Sequence, residues 1–190
     1  CLRIFHAVER FSEDLDFALK VPDMGFSLEQ YLRSALREVS AYGFRFEVVD
    51  RSKAESAVKK AFIKDDSIGK FLELEFMKPD RSTKKIRIKI EVDANPPLGA
   101  RSVMRYLTFP FPASITVHDI HSLFAGKLHA LLCREYVKGR DWYDLIWYLS
   151  QKEKVNYQLL SAQIDQVGPW KGQGLAVSQV WCFEELKKKA

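Results

Sequence analysis

The sequence predicts an α+β fold, with a mixed sheet in the front half and helices in the back half. Leu72, Leu74 and Phe76 alternate with Glu73 and Glu75, and Ile86, Ile88, Ile90 and Val92 alternate with Arg87, Lys89, Glu91 and Asp93. Period 2 with one apolar face is the signature of half-buried strands. From Asp119 onward the apolar spacing changes to steps of three and four, as in helices. The chain of 190 residues is 47% hydrophobic and 13% aromatic, enough for a sizeable core and against global disorder.

The elements follow in order. In Phe11–Phe17 an extended chain puts Phe11, Leu15 and Phe17 on one face, with Glu13, and Asp14 and Asp16 on the other. Pro22, Asp23 and Gly25 break it. Ser27 and Gln30 form a capping box that opens a helix with Leu28, Leu32, Ala35, Leu36 and Val39 on one stripe, and Gly43 caps its end. Phe44–Val49 reads as a strand, and 58–92 is mostly strand, with a turn over Asp80–Lys85 joining an antiparallel pair. Asn95-Pro96-Pro97 stops the second strand of that pair. Residues 98–118, with several prolines and aromatics, read as an irregular crossing segment ending at Val117. Asp119 then caps a helix carrying Ile120, Leu123, Phe124, Leu128, Leu131 and Leu132. After the loop Lys138-Gly139-Arg140, Asp141 opens a second helix with Trp142, Leu145, Ile146 and Leu149 on its apolar face. There Asp141 falls at the edge of that face and Asp144 points away from it. Tyr157–Val167 forms a third helix, and Trp181–Ala190 a short one with a lysine-rich tail. The length suits one domain or one with a small appendage, and the change of period divides it into 1–118 and a helical part, 119–190.

Lys plus Arg is 30 and Asp plus Glu is 25, a net charge of +5. This mild basicity permits a polyanionic partner without demanding one. Cys1, Cys133 and Cys182 are too few and scattered for a disulfide scaffold, and no C-x-x-C pair suggests a structural zinc. Reduced thiols in a cytoplasm are the expectation. No apolar run reaches the ~20 residues of a membrane span, and Arg3, His6, Glu9 and Arg10 interrupt any leader-like stretch at the start. Phosphate-cradling G-x-x-x-x-G-K-[ST] and G-x-G-x-x-G loops are absent.

Three features carry chemistry. Asp14 and Asp16 share a strand face about 7 Å apart, so both can reach one Mg²⁺, which takes hard oxygen ligands; a solvated acidic turn has the same pattern. Glu91 and Asp93 lie on the polar face of the Ile/Val strand, where a neighbouring carboxylate would complete a triad of the kind used for phosphoryl or nucleotidyl transfer; Arg87 and Lys89 share that face, as on an exposed surface. Lys127 falls in or beside the buried stripe of its helix and needs a partner, either Asp141 or Asp144 or a bound triphosphate, unless it snorkels. His118, His121 and His129 lack the spacing and helper ligands of a zinc site, and Cys133 reads as a small core residue.

Four blocks in order resemble the AbiEii family of nucleotidyltransferases, which includes abortive-infection proteins and toxins of toxin–antitoxin pairs. They are Arg10-Phe11-Ser12-Glu13-Asp14-Leu15-Asp16-Phe17, Lys89-Ile90-Glu91-Val92-Asp93, Lys127-Leu128-His129-Ala130-Leu131 and Lys138-Gly139-Arg140-Asp141-Trp142-Tyr143-Asp144-Leu145. The resemblance runs from about residue 2 to about residue 150. It implies a polymerase-β-like nucleotidyltransferase core over 1–118, and transfer of a nucleoside monophosphate from a nucleoside triphosphate to an acceptor hydroxyl, with RNA such as tRNA as acceptor. By the same resemblance Asp14, Asp16 and Glu91 hold Mg²⁺, with Asp93 competing for the third place. Arg10 and Ser12 shape the phosphate pocket, Lys127 contacts the triphosphate, Asp141 is a catalytic or pocket-ordering carboxylate, and Asp144 belongs to the nucleotide-binding set. An antitoxin is the implied partner. A Gly-Gly or Gly-Ser of the family would fall ahead of Leu2-Arg3, so the natural protein is expected to continue upstream of Cys1. A protein or small-molecule acceptor, or a non-catalytic nucleotide-binding module, remains open.

Overall fold

A computed structural model describes residues 1–12, 14–41, 45–49, 67–76, 84–109, 111–136 and 138–189. Gly43, Phe44, residues 58–66 of the stretch expected to be mostly strand, and 80–83 of the expected turn lie outside the described residues. The chain divides into two compact units, residues 11–96, and residues 1–10 with 97–190. These units follow packing, whereas the division at 118 followed the change of sequence period.

The first unit is a four-stranded sheet with one helix. Its strands are β1 (Asp14–Ala18), β2 (Arg45–Val49), β3 (Ser67–Phe76) and β4 (Lys84–Asp93), in the order β1-β4-β3-β2. β3 pairs antiparallel with β4, as the alternation predicts, and β1 runs parallel to β4. Leu32 of this unit's helix (Glu29–Ala41, α2 in chain order) and Leu28 just before it pack with Ile90 and Val92, with Leu19, Phe26, Leu36 and Ile88 around them. The apolar stripe of the helix and the apolar face of β4 therefore meet as their periodicities require. Leu15 and Phe17 on the edge strand β1 stay 40% and 55% exposed, so the apolar face expected for this strand is only partly covered.

The second unit begins with the short helix α1 (Leu2–His6). Its other elements are strands β5 (Ser102–Leu107) and β6 (Ala113–His118) and helices α3 (Ile120–Cys133), α4 (Gly139–Ser150), α5 (Tyr157–Gln166) and α6 (Gln179–Lys187). The segment 98–118 is thus not an irregular crossing: β5 and β6 form an antiparallel hairpin. Val103, Ile115, Thr116 and Val117 supply the β-branched residues a strand favours, and Pro110 and Pro112 fall between the two strands. Asp119 caps α3 as predicted, its Oδ1 accepting the Ser122 N–H at 2.7 Å.

α3 is the centre of this unit and packs against α4, α5 and α6. Phe124, Ala125, Leu128, Leu131 and Leu132 from α3 meet Leu145 and Tyr148 from α4 and Leu159, Leu160 and Ile164 from α5. The Phe124 and Tyr148 rings stack with centroids 4.3 Å apart. α4 turns a different face inward from the one its apolar residues suggest. Asp141, Asp144, Leu145 and Tyr148 are buried, while Ile146 and Leu149 are exposed. Asp144, expected to point outward, has no exposed surface at all.

Candidate functional site

The predicted carboxylates sit on one face of the sheet unit. In the parallel β1–β4 ladder Asp16 is the register partner of Glu91, Asp14 of Lys89 and Ala18 of Asp93. Adjacent strands are about 4.8 Å apart, and i, i+2 residues about 7 Å. Asp14, Asp16 and Glu91 thus occupy neighbouring positions on the face opposite Ile88, Ile90 and Val92. Lys89 Nζ lies 2.7 Å from Glu91 Oε1. Asp93 is set apart: it is buried, and its Oδ1 accepts the Asn95 N–H at 3.2 Å, a turn that ends the strand. Ser12 is exposed in the lead-in to β1 and makes no side-chain hydrogen bond among the described residues.

The remaining predicted residues meet in the helical unit, in a network of ionic groups. Arg10 grips Asp144 with both arms of its guanidinium, Nε to Oδ1 at 2.5 Å and Nη2 to Oδ2 at 2.7 Å. Lys127 Nζ lies 3.0 Å from Asp144 Oδ2 and 4.0 Å from Asp141 Oδ1. Arg134 Nη1 donates to Asp141 Oδ2 at 2.6 Å. Among the described residues, three cations therefore meet two buried carboxylates. Spacings in the sequence explain the assembly. Asp141, Asp144 and Tyr148 recur on one face of α4, and Lys127 falls between Phe124 and Leu131 on the face of α3 that meets it.

The physics of this network is that of buried charge. Burial works against an ionised Asp144, but the Arg10 hydrogen bonds and the Lys127 charge outweigh it and hold the carboxyl below its usual range. The hydrogen bond to Asp144 in turn raises the Arg10 pKa against its own desolvation. Burial, with the Asp144 charge nearby, pushes the Tyr148 phenol far up, and its hydroxyl has no hydrogen-bond partner among the described residues. The Lys127 side chain keeps 29% of its surface, so this ammonium is reachable from solvent while its position is fixed by carboxylates beneath it.

Two histidines bond the backbone: His121 Nδ1 the Lys154 carbonyl at 2.8 Å and His129 Nε2 the Val167 carbonyl at 3.1 Å. Cys133 and Cys182 are buried, and burial pushes both thiols up to about 11. Sequence reasoning missed Arg134, the second partner of Asp141, and Tyr148. Arg134 follows the last residue of α3 and gives no periodic signal of its own.

A family model described as the nucleotidyl transferase AbiEii toxin of type IV toxin–antitoxin systems matches residues 1–189. The chain belongs to this family. The match covers essentially the whole chain, beyond the stretch to about residue 150 over which the resemblance was read. No curated protein and no solved structure matches it. The AbiEii family is one of nucleotidyltransferase toxins, and a mixed α/β architecture with small sheets and six helices among the described residues is compatible with such an enzyme. No described helix is long and apolar enough to cross a membrane.

Proposed function

We propose that this AbiEii protein is a Mg²⁺-dependent nucleotidyltransferase that moves a nucleoside monophosphate from a nucleoside triphosphate to a hydroxyl of RNA, such as a tRNA, and that an antitoxin restrains it. The observation that carries the reading is the register of β1 and β4, which makes Asp16 and Glu91 neighbours with Asp14 one pleat away. An all-oxygen carboxylate set suits Mg²⁺, which takes only one or two protein carboxylates and fills its other positions with water and phosphate oxygens. Among the described residues no three His, Cys, Asp or Glu side chains converge as a full metal cage would require, so the fit is to such a sparse site. Asp14, Asp16 and Glu91 are assigned as the metal-holding set, one or two of them to an ion, and the buried Asp93 is left out of it. When bound, the ion would neutralise charge on the phosphates.

The chain's own residues supply the rest. Lys127 is assigned to the triphosphate, because it is a partly exposed ammonium held in place by the buried Asp144. Asp141 and Asp144 are assigned as positioning residues, since their oxygens are already engaged by Arg134, Lys127 and Arg10. Arg10 locks Asp144 in place, and Ser12 is kept as a candidate at the phosphates. In the reaction the acceptor oxygen bonds to the α-phosphorus, the bond from the α-phosphorus to the bridging oxygen breaks, and pyrophosphate leaves. The hydroxyl proton passes to a carboxylate or to water. Positioning of the two substrates supplies much of the acceleration. A polymerase-β-like core over 1–118, with 119–190 as the helical part, is the architecture that goes with this reading.

The test offers each labelled nucleoside triphosphate to the full chain with total RNA and Mg²⁺. Label is expected in RNA from the wild type and not from Asp14→Ala or Asp16→Ala. Equal transfer by wild type and both variants would overturn the assignment. Label in protein or a small molecule instead would move the acceptor without moving the carboxylates.

A further inference from the structure

The helical unit carries a second basic site that the ion network does not use. An open groove of about 340 Å³ lies where α3 and α5 begin, lined by Arg101, His121, Lys154, Asn156, Tyr157 and Gln158 among others. Its frame is built rather than incidental. Asn156 is more than nine-tenths buried, and its Nδ2 donates to the Gly99 carbonyl at 2.8 Å and to Ser122 Oγ at 3.2 Å. Its Oδ1 accepts the Leu159 N–H at 3.1 Å and its own N–H donates to the His121 carbonyl at 3.2 Å. Ser122 Oγ accepts the Arg101 N–H at 3.0 Å. One buried amide and one buried hydroxyl therefore tie together the three backbone segments that carry Arg101, His121 and Lys154.

The charges on this frame are left over for something else. Neither Arg101 nor Lys154 has a carboxylate partner among the described residues, and His121 has only Glu153, at 3.8 Å. A carbonyl can only accept, so the bond to Lys154 puts the ring proton of His121 on Nδ1 and leaves Nε2 for another partner. Tyr157 adds an aromatic ring and Gln158 an amide. Cations along an open groove with an aromatic wall are what a single nucleic-acid strand takes, the cations tracking phosphates and the ring offering a stacking face. The volume is near the lower limit for ligand pockets, of a size for one nucleotide unit rather than a folded partner.

We propose that this groove holds a phosphodiester segment of a single-stranded RNA, a docking site for the acceptor apart from the Arg10–Asp144–Lys127 network; it rests on the reading of RNA as the acceptor. The test is fluorescence anisotropy of a labelled single-stranded RNA oligonucleotide with the full chain across a range of NaCl. Three proteins are compared: wild type, Arg101→Gln/Lys154→Gln, and Lys187→Gln/Lys188→Gln, which removes the same charge at the C-terminal end of α6. The groove variant is expected to lose about fivefold or more in affinity, and its log–log salt slope to flatten by about 1.4, two phosphate contacts at ~0.7 each. The α6 variant should stay within about twofold, and all three should melt alike, since the exchanged side chains are on the surface. Equal losses in both variants, no loss in the groove variant, or no binding by the wild type would overturn the proposal. The transfer assay separates the two readings. Transfer into RNA with unchanged binding by the groove variant would sink the groove alone, and groove-dependent binding without transfer would sink the transferase reading alone.

Discussion

Replacing Asp144 by Asn puts the greatest strain on the helical unit, because it takes the charge from the centre of a buried network. In the native protein one carboxylate with no exposed surface holds both arms of Arg10 and the ammonium of Lys127. Removing one partner of a buried ion pair typically costs about 3–5 kcal/mol, most of it from the charge left behind. Here the stranded cations are not fully enclosed: the Arg10 and Lys127 side chains keep 17% and 29% of their surface and can regain some water. Asn also keeps one acceptor. The expected loss therefore sits at the low end, about 3 kcal/mol. All four tryptophans (Trp142, Trp147, Trp170 and Trp181) lie in this unit, so tryptophan fluorescence in a urea titration reports its unfolding and not that of the sheet unit. For a unit of about 100 residues a urea slope of about 1.2 kcal/mol per M turns this loss into a midpoint lower by about 2.5 M. Replacing Arg10 and Asp144 together by Leu should recover most of the loss, since an apolar pair replaces a buried ionic one at little cost. A midpoint shift under about 0.5 M for Asp144→Asn, or a double variant as weak as the single one, would refute the reasoning.

The same network sets an acid limit. Because the folded Asp144 pKa lies below its unfolded value, its contribution is whole above the unfolded pKa of about 3.9 and is lost as pH falls through the still lower folded value. The gap in urea midpoint between wild type and Asp144→Asn should be constant from pH 5 to 8 and close progressively below about pH 4. Gly168 is fixed by backbone and space together, with φ at +119° and an added Cβ 2.8 Å from Cys133 Sγ. Gly168→Ala should lower stability by about 2–3 kcal/mol in the same titration, and by less in a Cys133→Ala background, where Sγ is gone but the residue 133 Cβ stays 3.0 Å away.

Local pattern made much of this molecule legible. The apolar stripe of α2, the alternation of β3 and β4, the Asp119 cap and the span of α5 each depend on residues within a few positions of one another. The same holds for the Asp14/Asp16 and Glu91 faces, whose alternation was readable although their register was not. What escaped was set by distant partners. The apolar residues of α4 suggest an inward face of Trp142, Leu145, Ile146 and Leu149, yet the helix is rotated to bury Asp141 and Asp144. That rotation is tolerable only because Arg10 arrives from 134 residues away, Lys127 from the preceding helix and Arg134 from just beyond its end. A carboxylate with such partners no longer behaves as a surface residue. The β5–β6 hairpin was hidden differently, because the prolines and aromatics around its turn outweighed two short β-branched runs.

The most direct measurement is a titration of Mn²⁺, standing in for Mg²⁺, into the full chain, with free Mn²⁺ read by electron paramagnetic resonance. Wild type is expected to bind the ion. Asp16→Asn and Glu91→Gln are each expected to weaken binding by about tenfold or more while unfolding as the wild type does, since loss of one carboxylate from a sparse oxygen site removes much of its charge. Wild-type affinity retained in both variants would contradict the assignment of the β1–β4 carboxylates as the metal site.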